Sequence, residues 1–135
     1  MNGPCATFDF GIRFAVTAMC NNGSRWDMSQ LNHPNYVGRD PAYAVTFIEN
    51  QDTDLHFPAI WNKILRYSYL LTSERVPLVY YKDYAADNGC DGLKLLIDNL
   101  VWIHENLASG QTIFRHKEFQ FVVYERTSWP NCWLA

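Results

Sequence analysis

The sequence has little positive charge and no concentration of it. Eleven Lys and Arg stand against fourteen Asp and Glu, for a net charge of −3. No basic block breaks that balance, which excludes the electrostatic footprint of a dedicated nucleic-acid binder. No apolar run approaches the roughly 18–20 residues of a membrane span. Met1 to Phe10 hold neither a cationic segment nor a long apolar stretch, so no secretory signal is visible. The expectation is an intracellular product, or a chain that begins inside a longer protein. Cysteine is sparse: Cys5, Cys20, Cys90 and Cys132 form no C-x-x-C pair and match no zinc module. Free or core thiols are expected. His33, His56, His104 and His116 show no metal-ligand spacing, and His104, on an apolar helix stripe, reads as a core or boundary residue. Internal repeats and low-complexity tracts are absent.

What is present is enough for one modest domain with a core: 135 residues, 48% apolar and 16% aromatic. Turn chemistry falls at Asn21-Asn22-Gly23, His33-Pro34-Asn35, Asp87-Asn88-Gly89 and Ser109-Gly110. Between these marks strands and helices alternate. Thr7 to Phe10 reads as a short strand and Arg13 to Asn21 as a helix. Ala44 to Ile48 is an apolar, β-branched run suited to a strand buried on both faces. Phe57, Ile60, Trp61, Ile64, Leu65, Ser68 and Leu71 make one helical stripe, with Pro58 in its first turn and Trp61 in the core. Val76 to Tyr81 is a second buried strand. Asp91 is placed to cap a helix running from Leu93 to Leu107 that Gly110 stops. Thr112–Arg115 and Phe119–Tyr124, joined around Lys117-Glu118, read as a hairpin.

Ala44 to Val76 is therefore a strand, a helix and a strand in about the thirty residues of a βαβ unit, which predicts adjacent parallel strands. Three such units leave open sheet edges, which suits part of a barrel better than a complete domain. The informative string is Ala44-Val45-Thr46-Phe47-Ile48-Glu49-Asn50-Gln51-Asp52-Thr53. An apolar strand ends abruptly in Glu, Asn, Gln and Asp, and in βα-barrels the C-terminal strand ends form the active face. The next strand ends in Tyr80-Tyr81-Lys82-Asp83-Tyr84. Carboxylates and amides that grip hydroxyls, beside rings that stack on apolar faces, suit a sugar. Asp52 reads in two ways, as a substrate contact or as an acid at a helix N-terminus. Glu49 reads as a structural hydrogen-bonding group. Tyr80 and Tyr81 are stacking candidates.

Phe47-Ile48-Glu49-Asn50-Gln51-Asp52-Thr53 resembles the fourth signature of the α-amylase family, glycoside hydrolase family 13, at the end of barrel strand seven. Phe8-Asp9-Phe10 with Ile12-Arg13-Phe14 resembles strand six, and Trp26-Asp27-Met28 with Leu31 the short helix after it. Tyr67 to Thr72 and Val76 to Asp83 resemble helix seven and strand eight, Ile97 to Ile103 resembles helix eight, and the hairpin after Gly110 resembles the opening of a C-terminal β domain. The resemblance runs from about Thr7 to Arg126, with these motifs in order.

The resemblance implies an α/β fold: a partial (β/α)8 barrel, about units six to eight over residues 1–110, then a short antiparallel β segment and tail over 111–135. It implies retaining hydrolysis of α-1,4-glucosidic bonds, which takes a nucleophile and an acid/base about 5–5.5 Å apart. Asp52 matches the family's third carboxylate, the transition-state stabiliser. Asn50, Gln51, Tyr81 and Asp83 are the implied substrate contacts. Gln51 stands where the family has a histidine, and Gly11 where many relatives have proline. The nucleophile and acid/base belong to strands four and five, which this chain does not match, so catalytic incompleteness is expected. The family's calcium belongs largely to an inserted domain, and no cofactor is expected of this chain. The expected partners are an α-glucan or maltooligosaccharide and a chain supplying the missing strands, with neither nucleic acid nor membrane. A non-catalytic glucan- or partner-binding fragment is the alternative. Thr127 to Ala135 leaves the resemblance and reads as out-of-frame sequence or a truncated end.

Overall fold

Asp9 decides where the first strand stops. In the computed structural model, which describes residues 5–32, 43–59, 61–87 and 89–127, strand β1 is Thr7–Phe8 and helix α1 is Phe10–Asn22. The Asp9 carboxylate accepts the Ile12 N–H at 3.0 Å. A side chain that satisfies an orphan first-turn donor starts a helix. The strand expected to reach Phe10 thus ends at Phe8, and the helix opens three residues before the expected Arg13. Gly23, at φ 52°, ends it by donating its N–H to Met19 O.

Strand β2, Ala44–Phe47, is the centre of a three-stranded parallel sheet ordered β1-β2-β3. Its partners are β1 (Thr7 opposite Ala44) and β3, Val76–Leu78 (Val45 opposite Val76, Phe47 opposite Leu78). The expected parallel neighbours are present. The strand at Val76 is shorter than expected and lies at the edge, with Val76 half exposed. Tyr80 caps a short helix, α4, over Tyr81–Tyr84, so the strand cannot extend to Tyr81.

The connection from β2 to β3 holds two helices, α2 (Gln51–His56) and α3 (Lys63–Thr72). The single stripe expected from Phe57 is broken. Asn62 adopts a left-handed conformation, φ 52°, and the Ala59 N–H is held by the Glu49 carboxylate, so Pro58 lies outside any helix. Trp61, expected in the core, is 66% exposed. Helix α5, Lys94–Asn106, packs on α3 and buries Ile97 completely. Asp91 does not cap it. Leu93 stands at the cap without a side-chain bond, and Asp91 pairs with Lys63 instead. The helix ends at Leu107, ahead of Gly110, whose φ of 80° turns the chain into the hairpin.

That hairpin joins β4 (Gln111–Lys117) to β5 (Val122–Thr127), antiparallel, with a bulge between Phe114 and His116. Glu118 N–H donates to Phe121 O across its turn at 2.9 Å. Tyr124 packs edge-on to Tyr69, bonds Thr72 through its hydroxyl, and Arg126 donates to Thr72 O at 3.0 Å. The main core gathers Ile12, Val16, Leu31, Ile48, Tyr67, Leu70, Leu71 and Ile97. Each such side chain contributes about 1.5–3 kcal/mol on burial. His104 is at the boundary as expected, its Nδ1 2.9 Å from Leu71 O, and Cys20 is a buried free thiol. No helix among the described residues is long and apolar enough to cross a membrane. The turn at His33, Ile60 of the stripe, and the tail with Trp129, Cys132 and Trp133 lie outside the described residues.

Candidate functional site

The polar end of β2 divides into a buried part and an exposed part. Asn50 makes the division. Its Oδ1 accepts the Thr53 N–H at 2.9 Å, and its own N–H donates to Thr53 Oγ1 at 3.0 Å. This reciprocal capping box starts α2 immediately after the strand. Gln51 and Asp52 are thereby fixed, exposed, in the first turn. The Asp52 carboxylate has no hydrogen bond or ion pair among the described residues. The structure places Asp52 where the second reading has it, as an acid in the first turn of a helix at the end of the strand.

A cleft of about 400 Å³ opens there, lined by Phe10, Arg13, Phe14, Asn50, Asp52, Thr53, His56 and Phe57. Phe10, Phe14 and Phe57 are 45%, 61% and 73% exposed. Sequence reasoning missed these rings as neighbours of Asp52. The signal was Asp9: once it caps α1, Phe10 and Phe14 fall at i and i+4 on one face.

Asp54, on the far side of the same turn, holds Lys82 through both carboxylate oxygens at 2.9 Å and accepts the Tyr80 hydroxyl at 3.4 Å. The bond to Asp54 raises the Lys82 ammonium above its ordinary value. Partial burial and Asp54 raise the Tyr80 phenol. The pair ties α2 to the segment after β3. Tyr81 is not in the Asp52 cleft. It lines a separate shallow one with Val79, Tyr84 and Ile97, and its hydroxyl donates to Asp87 at 3.0 Å.

Beneath the strand ends lies an ionic cluster. Glu49 and Asp83 are both fully buried. The Lys63 ammonium sits 2.7 Å from Glu49, 2.5 Å from Asp83 and 2.6 Å from Asp91. Tyr67 OH donates to Asp83 at 2.6 Å and accepts the Tyr80 N–H at 3.2 Å. Glu49 also accepts the Ala59 N–H, the structural role expected of it. Burial works to lower the Lys63 pKa, but its bonds to Asp83, Asp91 and Glu49 outweigh that and raise it. Burial and the Asp83 charge raise the Tyr67 phenol. The structure therefore places Asp83 inside this cluster, inaccessible to solvent, and does not bring it beside Asp52 at a shared open edge. Three carboxylates converge here, yet the cation they enclose is an ammonium, so the cluster does not fit calcium. Among the described residues no group of three or more His, Cys, Asp or Glu is arranged to hold a metal ion.

An exposed, unengaged carboxylate between aromatic walls is suited to accept hydroxyl hydrogens while the rings cover an apolar face. Known proteins resemble this chain over most of its length. Over 96% of its length the chain is 27% identical to a glucan 1,4-alpha-maltohexaosidase of Bacillus sp. (strain 707). It is 30% identical to an alpha-amylase of Geobacillus stearothermophilus over 81% of its length, and 32% identical to the cytoplasmic alpha-amylase of Escherichia coli (strain K12) over 84%. The chain is related to the α-amylases. The relationship is to a part of them, since this α-amylase-like chain spans about a quarter of the length of these relatives (27%, 21% and 27%). No family model matches it.

Proposed function

We propose that this α-amylase-like chain is the C-terminal part of a (β/α)8 catalytic barrel, about units six to eight over residues 1–110, running into a C-terminal β domain from 111. Its own share of the chemistry is recognition of an α-1,4-glucan. The observation that carries this reading is Asp52, an exposed carboxylate with no hydrogen bond or ion pair among the described residues, at the polar end of a buried parallel strand. In this role Asp52 accepts hydrogen bonds from sugar hydroxyls and favours positive charge developing on the sugar ring. Asn50 has its oxygen in the capping box and its amide N–H groups left to donate. Gln51, neutral, donates beside it. Asp83 supports this face from beneath and does not touch the glucan.

No residue here matches the family's nucleophile or acid/base, so the chain binds glucan without cleaving it. The test is calorimetric titration of the full chain with maltoheptaose, alongside turnover of a chromogenic maltoside. Binding that Asp52→Asn weakens at least about tenfold, the usual worth of one charge-assisted hydrogen bond, supports the reading. Absence of binding, or turnover that Asp52→Asn abolishes, contradicts it.

A second reading concerns partners. Among the described residues β1 and β3 each pair on one side only, with Phe8 49% and Val76 48% exposed along those edges. Unpaired edges favour a chain that supplies further parallel strands. A change in sedimentation on mixing with such a chain tests it.

A further inference from the structure

Arg13 stands in the first turn of α1 with only 3% of its surface exposed. No carboxylate pairs with it among the described residues. Its guanidinium instead spans two backbone carbonyls: Nε donates to Ile48 O at 3.0 Å and Nη2 donates to Phe57 O at 2.8 Å. Those carbonyls bracket the excursion that carries Asn50, Gln51 and Asp52. Ile48 follows the last residue of β2, and Phe57 is the C-cap of α2, where carbonyls lack helical partners. The two donors leave a rigid, planar group, so they fix a separation as well as supplying bonds. Burying a charge is costly, and besides these two carbonyls only the Phe14 ring, 5.6 Å away, and the nearby Glu49 charge offset that cost among the described residues. Arg13 also lines the Asp52 cleft. A second tie crosses the same segment, from the Glu49 carboxylate to the Ala59 N–H.

We infer that Arg13 is a positioning residue: by clamping Ile48 and Phe57 it orients the turn that presents Asp52 to the glucan. The inference rests on the glucan reading of Asp52. Nothing in the sequence motif marks it, because the clamp joins residues 35 and 44 positions apart.

The test uses the full chain, ¹⁵N-labelled, as wild type and as Arg13→Lys, titrated with maltoheptaose and followed by NMR. Lysine keeps the charge and loses the fork. The expected result is unchanged β4–β5 hairpin resonances, shifted amides from Glu49 to Phe57, and maltoheptaose affinity reduced about tenfold, one charged hydrogen bond's worth. Unchanged Glu49–Phe57 amides with wild-type affinity would overturn the inference alone. Failure of the wild type to bind maltoheptaose overturns the glucan reading, and the positioning role with it. Should Arg13→Lys not fold, the wild-type Arg13 Nε–H decides. Slow exchange that persists on saturation with maltoheptaose supports the clamp, and exchange at the solvent rate rejects it.

Discussion

Glu49 and Asp52 stand three residues apart at the end of one strand, and their surroundings are opposite. Glu49 is fully buried, accepts a backbone N–H and meets the Lys63 ammonium. Asp52 is exposed and has no hydrogen bond or ion pair among the described residues. The inward carboxylate uses its bonding capacity to hold the platform still, and the outward one leaves its oxygens to solvent, which is what the proposed glucan reading draws on. Asn50 separates the two by ending the strand and starting a helix in one step. A cluster of acids in a sequence therefore says little about chemistry until each acid's partners are known.

Lys63→Met breaks the comparison most severely. It strands Glu49 and Asp83, both buried, without their cation, and should cost about 3–5 kcal/mol in urea unfolding. Tyr67→Phe removes a donor to Asp83 and an acceptor for Tyr80 N–H, and should cost about 1–3 kcal/mol.

The same two groups set an alkaline limit. Lys63 and Tyr67 are raised above their ordinary values of 10.5 and 10.0. A group raised on folding contributes stability that is complete below its unfolded value and lost as pH climbs through its folded one. The Lys63 and Tyr67 contributions to thermal melting should therefore fall as pH climbs above about 10, with a shallower fall in Tyr67→Phe. A melting temperature that holds steady through that range would contradict the cluster's bonding.

Asp52→Asn sharpens the contrast from the other side. With no hydrogen bond or ion pair to lose among the described residues, it should change stability by less than about 0.5 kcal/mol while weakening maltoheptaose binding. Lys82→Gln should have the smallest effect on melting, because its pairing with Asp54 lies near the surface where solvent screens it.

The parallel neighbours β2 and β3 were legible because a buried strand, a helix-length insert and a second strand leave a local pattern in the sequence. The candidate site was legible in part: the polar string after Phe47 marks the strand end, and the family resemblance marks Asp52. The misreadings share a cause. Asp9 looked like part of a strand because its capping bond to Ile12 reverses the meaning of its position. The stripe from Phe57 looked helical because periodicity does not register the Glu49 bond to Ala59 or the left-handed Asn62. Asp91 looked like a cap, but a distant lysine claims it. Asp83 looked outward because the strand was carried to Tyr81, whereas one turn of helix rotates it into the cluster. Tertiary ion pairs and caps decided each of these, and periodicity alone carries neither.

The most direct test of the division between the two carboxylates is the ¹³C NMR signal of each side-chain carboxyl during addition of maltoheptaose to the full chain. The Asp52 Cγ signal is expected to move in a saturable way while Glu49 Cδ and Asp83 Cγ stay fixed. A shift at Glu49 or Asp83 with Asp52 unmoved would contradict that division.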